Sequence, residues 1–284
     1  MVEQKVGMKR LRIPEVRSEY IWAITFILFI IPIVRPLGTE VEMTPMTLEI
    51  YNRIQALPPG SILVTGGNGI FSFMLENSPA TIACLKQMAR QHLRIVNVPL
   101  GIENPPFFKY CIDAAGVDES VGGPWKYGRD YVALPYLPGG ESTRILFLKD
   151  VKQTVNTDIY GTPISQIPLM NDVKDASSFA YWIDSSGTDI PSLVRTSIAM
   201  YNLPVIGFTH AYYYSVYTPY LAMYPGKIWL TNGIIGGAQY ETLMNIKGLG
   251  HSGIDTYQLV SIYFYALFIL GNIVMHFGKK EEEQ

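Results

Sequence analysis

Two apolar runs stand near the two ends of the chain and bracket a long segment of mixed pattern. Residues 257–277 carry no formal charge other than that of a protonated His276. At about 1.5 Å per residue such a run crosses about 30 Å, the thickness of the hydrocarbon core of a bilayer. Residues 20–34 form a shorter run that ends at Arg35-Pro36. Both runs predict transmembrane helices.

A cleaved signal peptide is the alternative interpretation of residues 20–34, because the apolar part of a signal peptide has this length. The polar segment before the run is long, however, and residues 35–38 (RPLG) lack the small residues of a cleavage site. We therefore expect an uncleaved signal anchor.

Basic residues predict the orientation of the two helices, because they favour the cytoplasmic side. Those before the first run are Lys5, Lys9, Arg10, Arg12 and Arg17, and those after the second are Lys279 and Lys280. We expect cytoplasmic tails at 1–19 and 278–284, transmembrane helices at 20–36 and 255–277, and an extracytoplasmic domain at 37–254. The predicted location is the cell (plasma) membrane.

The middle of the chain alternates between short, strongly apolar segments and longer segments with helical spacing. Strands are predicted at 61–65, 93–98, 131–136, 178–184 and 203–209, and helices at 43–57, 78–92, 105–115, 141–155, 191–202 and 226–244. This alternation predicts an α/β domain, Rossmann-like or flavodoxin-like, with a mainly parallel sheet and helices on both faces.

Charge and metal-ligand residues narrow the range of functions. The formal net charge is -2, which argues against nucleic acid as a partner. Cys84 and Cys111 are interpreted as buried free thiols, and a single disulfide between them is the alternative in an extracytoplasmic domain. The four histidines share no ligand spacing, so we predict no metal site and no cofactor.

Ligands of open parallel sheets bind outside the carboxyl ends of the strands. Polar and glycine residues follow four of the predicted strands there. The resulting ligand-binding candidates are Gly66, Gly67, Asn68, Gly139, Asp184, Ser185, Thr209 and His210. The first of these loops, TGGNG, is not a dinucleotide or phosphate-binding motif, and a tight exit from the strand is its alternative interpretation.

The same loops contain the only candidates for catalysis. Asp184, Ser185, Ser186 and His210 include the residue types of a hydrolase or transferase, but the chain has no GxSxG motif. Turn and cap residues have the same composition. We therefore predict no catalysis, with a hydrolase or transferase as the alternative function.

Two stretches are interface candidates. Residues 211–220 (AYYYSVYTPY) include Tyr212, Tyr213 and Tyr214, which suit a ligand, a protein partner or an aromatic loop packed on its own sheet. The loop is the favoured interpretation. Gly233, Gly236 and Gly237 lie in a predicted helix, where small residues indicate close packing, including packing between subunits.

Several motifs together resemble a family of uncharacterised prokaryotic membrane-anchored proteins, found in archaea and bacteria. Residues 127–139 (YGRDYVALPYLPG) are similar to a YGxDYVxLGYxPG pattern, with Pro135 in place of Gly. Residues 161–163 (GTP) and 167–170 (IPLM) follow, and residues 224–241 are similar to a pattern that ends in GGxxGAAEYE. The resemblance implies an anchored α/β domain and transfers no mechanism.

These features together predict a membrane-anchored, extracytoplasmic α/β domain without catalytic activity. It would act as an assembly or ligand-binding component, as a homo-oligomer or as a subunit of a larger membrane complex. Its predicted partners are the bilayer and either itself or other membrane proteins. A sensor of a small solute is a third hypothesis, and it would need a partner to carry the output.

Overall fold

The computed structural model describes residues 17–67, 74–185 and 187–277 of the chain. Two compact units emerge from its contacts. The larger is Gly38–His251, and the described part of the smaller is residues 17–37 and 252–277. Asn68 and Ser186, both predicted site residues, lie outside the described residues.

The larger unit is built on one six-stranded sheet in which every pair of neighbouring strands is parallel. The strands are β1 Ile62–Gly67, β2 Arg94–Pro99, β3 Tyr131–Ala133, β4 Trp182–Asp184, β5 Val205–Thr209 and β6 Ile228–Asn232. Their order is β3-β2-β1-β4-β5-β6, that of a doubly wound Rossmann-like fold. The predicted α/β class with a parallel sheet is confirmed.

Helices precede, connect and follow these strands. In chain order the α-helices are α1 Ser18–Val34, α2 Pro45–Gln55, α3 Met74–Arg90, α4 Asn104–Ala115, α5 Glu141–Lys149, α6 Val151–Thr154, α7 Pro168–Asn171, α8 Ile190–Leu193, α9 Ala199–Tyr201, α10 Ala211–Met223, α11 Gly233–Leu243 and α12 Leu249–Phe277. A π-helical turn, Val194–Ile198, joins α8 to α9, and short 3-10 turns lie at Glu119–Val121, Ile164–Gln166 and Ala176–Ser178.

Apolar side chains cover both faces of the sheet, as expected for parallel strands. Successive residues of a strand point to opposite faces of the sheet and so belong to two different cores. Leu63 belongs to the first core and Val64 to the second. The first core is closed by α2, α3, α4 and α11, and the second by α5, α8 and α10. Helices therefore lie on both faces of the sheet, as predicted.

Four predicted elements need correction. Residues 226–244, predicted as one helix, contain strand β6 and then helix α11. The tyrosine stretch, for which a loop was favoured, forms helix α10 despite Pro219. Helix α3 begins by Met74, so Pro79 lies inside it and not at its first turn. The helix predicted for 141–155 is broken at Asp150, whose side chain accepts a hydrogen bond from the N–H of Gln153 at the start of α6.

The chain enters and leaves the larger unit at neighbouring points. A Cβ atom on Gly38 would overlap the side chain of Lys247. Gln239 of α11 is buried and joins the same two segments, since its amide donates to the carbonyl of Glu42 and accepts from the hydroxyls of Thr44 (2.9 Å) and Thr47 (2.7 Å). The first and last segments of the unit are thus fastened to each other.

The smaller unit contains α1 and most of α12, whose apolar side chains are largely exposed. The hydroxyl of Tyr263 in α12 donates to the carbonyl of Ile21 in α1 at 3.3 Å. Among the described residues, Leu249–His276 is the one helical stretch long and apolar enough to cross a membrane. Helix α1 is apolar but shorter.

Candidate functional site

The strand order reverses between β1 and β4, where successive crossovers leave the sheet on opposite faces, and open parallel sheets bind ligands at such a point. Four predicted residues lie on this edge at the ends of β4 and β5: Asp184, Ser185, Thr209 and His210, all of them buried. Gly187 has a φ of +66°, and a Cβ atom there would lie 2.8 Å from the carbonyl oxygen of Phe208 and 3.0 Å from the amide nitrogen of His210. The loop after β4 therefore packs directly on the end of β5, and the structure brings these predicted residues together.

The first turns of α3 also reach this edge, which the sequence did not predict. The side-chain amide of Asn77 donates to the carbonyl of Ser185 at 3.2 Å. The carboxylate of Glu76 accepts a hydrogen bond from the backbone N–H of Ala211, at the start of α10, at 2.7 Å. A negative charge at a helix N-terminus stabilises the helix. Glu76 and Asn77 thus connect α3 to both strand ends.

Helix α10 covers the edge with one aromatic face. The ring of Tyr213 lies 5.9 Å from the ring of His210 and stacks on Tyr217 at 5.4 Å. The hydroxyl of Tyr217 donates to the carbonyl of Thr188, in the loop after β4, at 2.9 Å. Burial, and then the nearby Asp184 carboxylate, raise the pKa of Tyr217. The tyrosine stretch and the strand-end residues, predicted as separate features, therefore form a single site.

The three predicted interface tyrosines differ in their surroundings. Tyr213 and Tyr214 are partly buried and pack against the core. Tyr212 is 73% exposed, with its ring 5.1 Å from that of Tyr213. Of the three, Tyr212 is the side chain most available to a partner.

A buried arginine connects helix α5 to the loop after β4. Arg144 of α5 is 1% exposed and forms an ion pair with Asp189, which directly precedes α8. Its guanidinium also donates to the hydroxyl of Ser192 at 2.5 Å and to that of Thr196, in the π-helical turn, at 3.3 Å. Sequence analysis overlooked Arg144, because it stands in an ordinary amphipathic helix and has no neighbouring motif.

Gly66, Gly67 and Gly139 have local structural roles. Gly66 pairs with Val98 on one side and Asp184 on the other. A Cβ atom on Gly66 would overlap the carbonyl of Val98 and lie 3.2 Å from the ring of Trp182. Gly67 has a φ of +130° and Gly139 a φ of +106°, in the turn that precedes α5. The φ of Gly67 is one that glycine adopts more readily than other residues, which agrees with a tight exit from strand β1 at this residue.

Gly233, Gly236 and Gly237 of α11 are buried inside the α/β unit. Cβ atoms on Gly236 and Gly237 would lie 2.6 Å from the Cβ atoms of Thr231 and Pro79, respectively. The close packing indicated by these glycines therefore occurs within the chain, against β6 and α3. Their predicted use between subunits lacks an exposed surface.

The motif residues behind the family resemblance fasten the segment between β3 and β4. The hydroxyl of Tyr127 donates to the buried carboxylate of Asp158 at 2.9 Å, and the carbonyl of Gly128 accepts from the N–H of Leu169 at 2.9 Å. Tyr131 donates to Asp118 at 2.5 Å. These contacts are structural and do not involve the strand ends at β4 and β5.

Cys84 and Cys111 are free and buried, as the favoured interpretation predicted. Burial raises the pKa of the Cys84 thiol to about 12 and raises the pKa of Cys111 as well. In the part of the chain that the structure describes, no group of three His, Cys, Asp or Glu side chains is placed to hold a metal ion.

Comparison of the chain with protein-family models, with curated proteins and with solved structures gave no match. Any function must therefore be inferred from the residues of the site itself. The carboxylate of Asp184, the imidazole of His210 and the hydroxyl of Tyr217 are gathered there at one edge of the sheet. Ligand pockets combine a few polar groups of this kind with an apolar lining.

Proposed function

We propose that this chain is a two-pass, membrane-anchored α/β domain that acts as a ligand-binding or assembly component of a membrane complex, without catalysis. The observation that carries the proposal is the meeting of the entry and exit of the α/β unit at Gly38 and Lys247. Two apolar helices can then start from adjacent points and enter one bilayer as a hairpin. The hydrogen bond from Tyr263 to Ile21 supports such a hairpin.

Helix lengths are consistent with this arrangement. Helix α12 is long enough to span the hydrocarbon core by itself. The 17 residues of α1 cover about 26 Å at 1.5 Å per residue. Helix α1 is thus slightly shorter than the hydrocarbon core, which is about 30 Å thick. Arg17 and Arg35 flank α1, and their long side chains can extend to the lipid headgroups and compensate for the missing length. The basic flanks favour cytoplasmic tails and an extracytoplasmic α/β unit at the plasma membrane.

Cysteine labelling tests this topology. The two native thiols are buried and have raised pKa values, so they give little background with a maleimide. We expect Ile102→Cys, at an exposed position of the α/β unit, to react with a membrane-impermeant maleimide on intact cells. Glu3→Cys and Gln284→Cys, in the tails, should react only after permeabilisation.

The reverse labelling pattern would overturn the orientation. A mature chain that has lost residue 3 would instead show that the first apolar run is a cleaved signal peptide. Release of the intact chain from membranes by alkaline carbonate would overturn the anchoring itself.

The binding role is proposed for the edge formed by Asp184, Thr209, His210 and Tyr217. Native mass spectrometry of the protein extracted from its own membranes tests it. We expect a small molecule or a partner chain to remain bound to the parent protein. Asp184→Asn should lose a small molecule, and Tyr212→Ala should lose a partner chain. Bare monomer from the parent, under conditions that preserve known membrane complexes, would contradict the proposal.

A hydrolase or transferase is the second candidate, and the observation behind it is the packing of Gly187 on the backbone of His210. That packing brings the loop after β4, with Asp184 and Ser185, to the end of β5. A fluorophosphonate probe distinguishes the two functions. Labelling that disappears in Ser185→Ala or Ser186→Ala, and in His210→Gln, would establish catalysis and contradict the binding role as the sole function.

A further inference from the structure

Helix α12 has an exposed face in addition to the side from which Tyr263 bonds to α1. The α1-facing side includes Val260, Tyr263 and Leu267, which are partly buried. On the opposite side lies a row that we name the outer seam: Ser261, Tyr265, Phe268, Asn272 and Met275. The intervals along this row alternate between four and three residues, the repeat by which one helix packs along another.

Apart from the partly buried Ser261, the outer seam is uncovered in the single chain. Tyr265 and Phe268 are each 71% exposed and Met275 is 81% exposed. Lipid can cover the apolar side chains of the row, because apolar side chains need no hydrogen-bond partner. Asn272 is different, because its amide is polar and its side chain is exposed.

Asn272 lies inside the predicted span. It stands five residues before Phe277, about 7 Å from the end of the helix at 1.5 Å per residue. Its side-chain amide donates to the carbonyl of Phe268, one turn earlier, at 2.8 Å. A primary amide has two N–H donors and a carbonyl acceptor, so this one bond leaves hydrogen-bonding capacity that lipid does not satisfy. Polar side chains in this position are satisfied by a neighbouring helix.

We propose that the outer seam binds the outer seam of a second copy of this chain, with the two Asn272 amides hydrogen-bonded to each other. Two features select a second copy over a different protein. An amide is complementary to itself, since each one both donates and accepts. Two copies inserted in the same orientation also place Asn272 at the same depth, so the two amides meet without any adjustment. A single asparagine in such a seam is known to fix the register and the number of helices.

This inference rests on the proposed function, because it requires α12 to lie in the bilayer. The test uses the full chain in lipid vesicles, with the dimer fraction measured by fluorescence energy transfer as the ratio of protein to lipid is varied. Asn272→Leu should lower the association constant about tenfold, the size expected for one polar contact between membrane helices. Asn272→Gln should retain most of the association.

Tyr263→Phe is the matched control, because it removes a polar group from the α1-facing side of the same helix. We expect it to dimerise like the parent. Unreactive Cys84 and Cys111 would show in each variant that the α/β unit has folded. A parent that remains monomeric, or an Asn272→Leu variant that associates as strongly as the parent, would overturn the proposal.

Disulfide cross-linking gives a second, independent measurement. Phe268→Cys lies on the outer seam, while Ile262→Cys is nearly as exposed, at 66%, but lies about a quarter turn away from the seam. Only the first should form a cross-linked dimer. Loss of the chain from carbonate-washed membranes would contradict the membrane anchor. A monomeric chain that stays in the membrane and still carries a bound small molecule would contradict this inference alone.

Discussion

At the scale of single residues, the larger unit depends on polar groups buried at its margins, and Glu241 is the clearest example. Its side chain is nearly inaccessible and accepts hydrogen bonds from the backbone N–H groups of Gly248 (3.1 Å), Gly250 (2.8 Å) and His251 (2.9 Å). The ring Nδ1 of His251 lies 2.8 Å from the same carboxylate and must carry the proton that it donates. Glu241 thus fixes the first turn of α12 to α11.

Glu241→Gln is expected to lower the free energy of unfolding of the α/β unit by about 2 kcal/mol or more. The substituted amide directs N–H groups toward backbone N–H donors and leaves some of them unsatisfied, which is costly in a buried site. Urea denaturation in detergent, followed by tryptophan fluorescence, measures the change.

Glu141→Gln is the control, because Glu141 forms an exposed ion pair with Arg195, and exposed pairs contribute little to stability. We expect it to unfold like the parent. Equal stability of the two variants would show that the Glu241 hydrogen bonds are dispensable.

Sequence reasoning at this scale found Asp184, Ser185, Thr209 and His210 because they directly follow apolar strands. Glu76, Arg144 and Glu241 were overlooked for a physical reason. Glu76 and Arg144 act through contacts with residues 135 and 45 positions away in the chain, and Glu241 acts through a contact between two successive helices. The spacing of residues within one helix does not reveal such contacts.

At the scale of elements, α11 shows what a glycine-rich sequence can mean. The glycines predicted correctly that something packs closely on this helix. They did not reveal whether the neighbour belongs to the same chain. The structure places Pro79 and Ala80 of α3 against Gly237.

Gly237→Ala should destabilise the unit by about 1 to 3 kcal/mol, since the added methyl group would lie 2.6 Å from Pro79 and force two helices apart. Ile235→Ala changes a partly exposed side chain of the same helix and should cost less. Thermal unfolding of both variants gives the comparison. A Gly237→Ala protein as stable as the parent would show that α3 and α11 can move apart at little cost in free energy.

Strand β6 and helix α10 were the elements that the pattern missed. Neither contains a charged residue, so no polar face marks the period of the backbone. Three successive tyrosines and an internal proline favoured a loop, and tertiary packing against the strand ends overrode that preference. Strands β1, β2 and β5 were recognised because apolar residues crowd into short segments between helices.

At the scale of the whole molecule, the sequence supported the α/β class but not the strand order. Order depends on which face each crossover takes, and that is decided by packing. The two buried faces also explain a property of the tyrosines. Burial is the main cause that raises the pKa values of Tyr127, Tyr131, Tyr217 and Tyr240 above their ordinary value of 10.

Stability should therefore fall in alkali. Above about pH 10 the unfolded chain loses tyrosine protons that the folded chain keeps, so unfolding releases protons and becomes easier as the pH rises. The contribution of these tyrosines is fully present below about pH 10 and declines above it. Urea denaturation across this range measures the slope, and Tyr217→Phe should release one proton fewer on unfolding. Complete ionisation of every tyrosine near pH 10, before any unfolding, would contradict the prediction.

The adjacency of Gly38 and Lys247 gives the α/β unit the character of an insert. Its two ends are close enough to be bridged by a short linker, which is the geometry that permits a domain to be excised, circularly permuted or grafted into another host. A chain in which a few glycines join residue 38 to residue 251, with new termini in an exposed loop, would keep the hydrogen bonds to Glu241 and separate the sheet and its site from α1 and the rest of α12. Such a permutant would let binding at the sheet be studied in the absence of lipid.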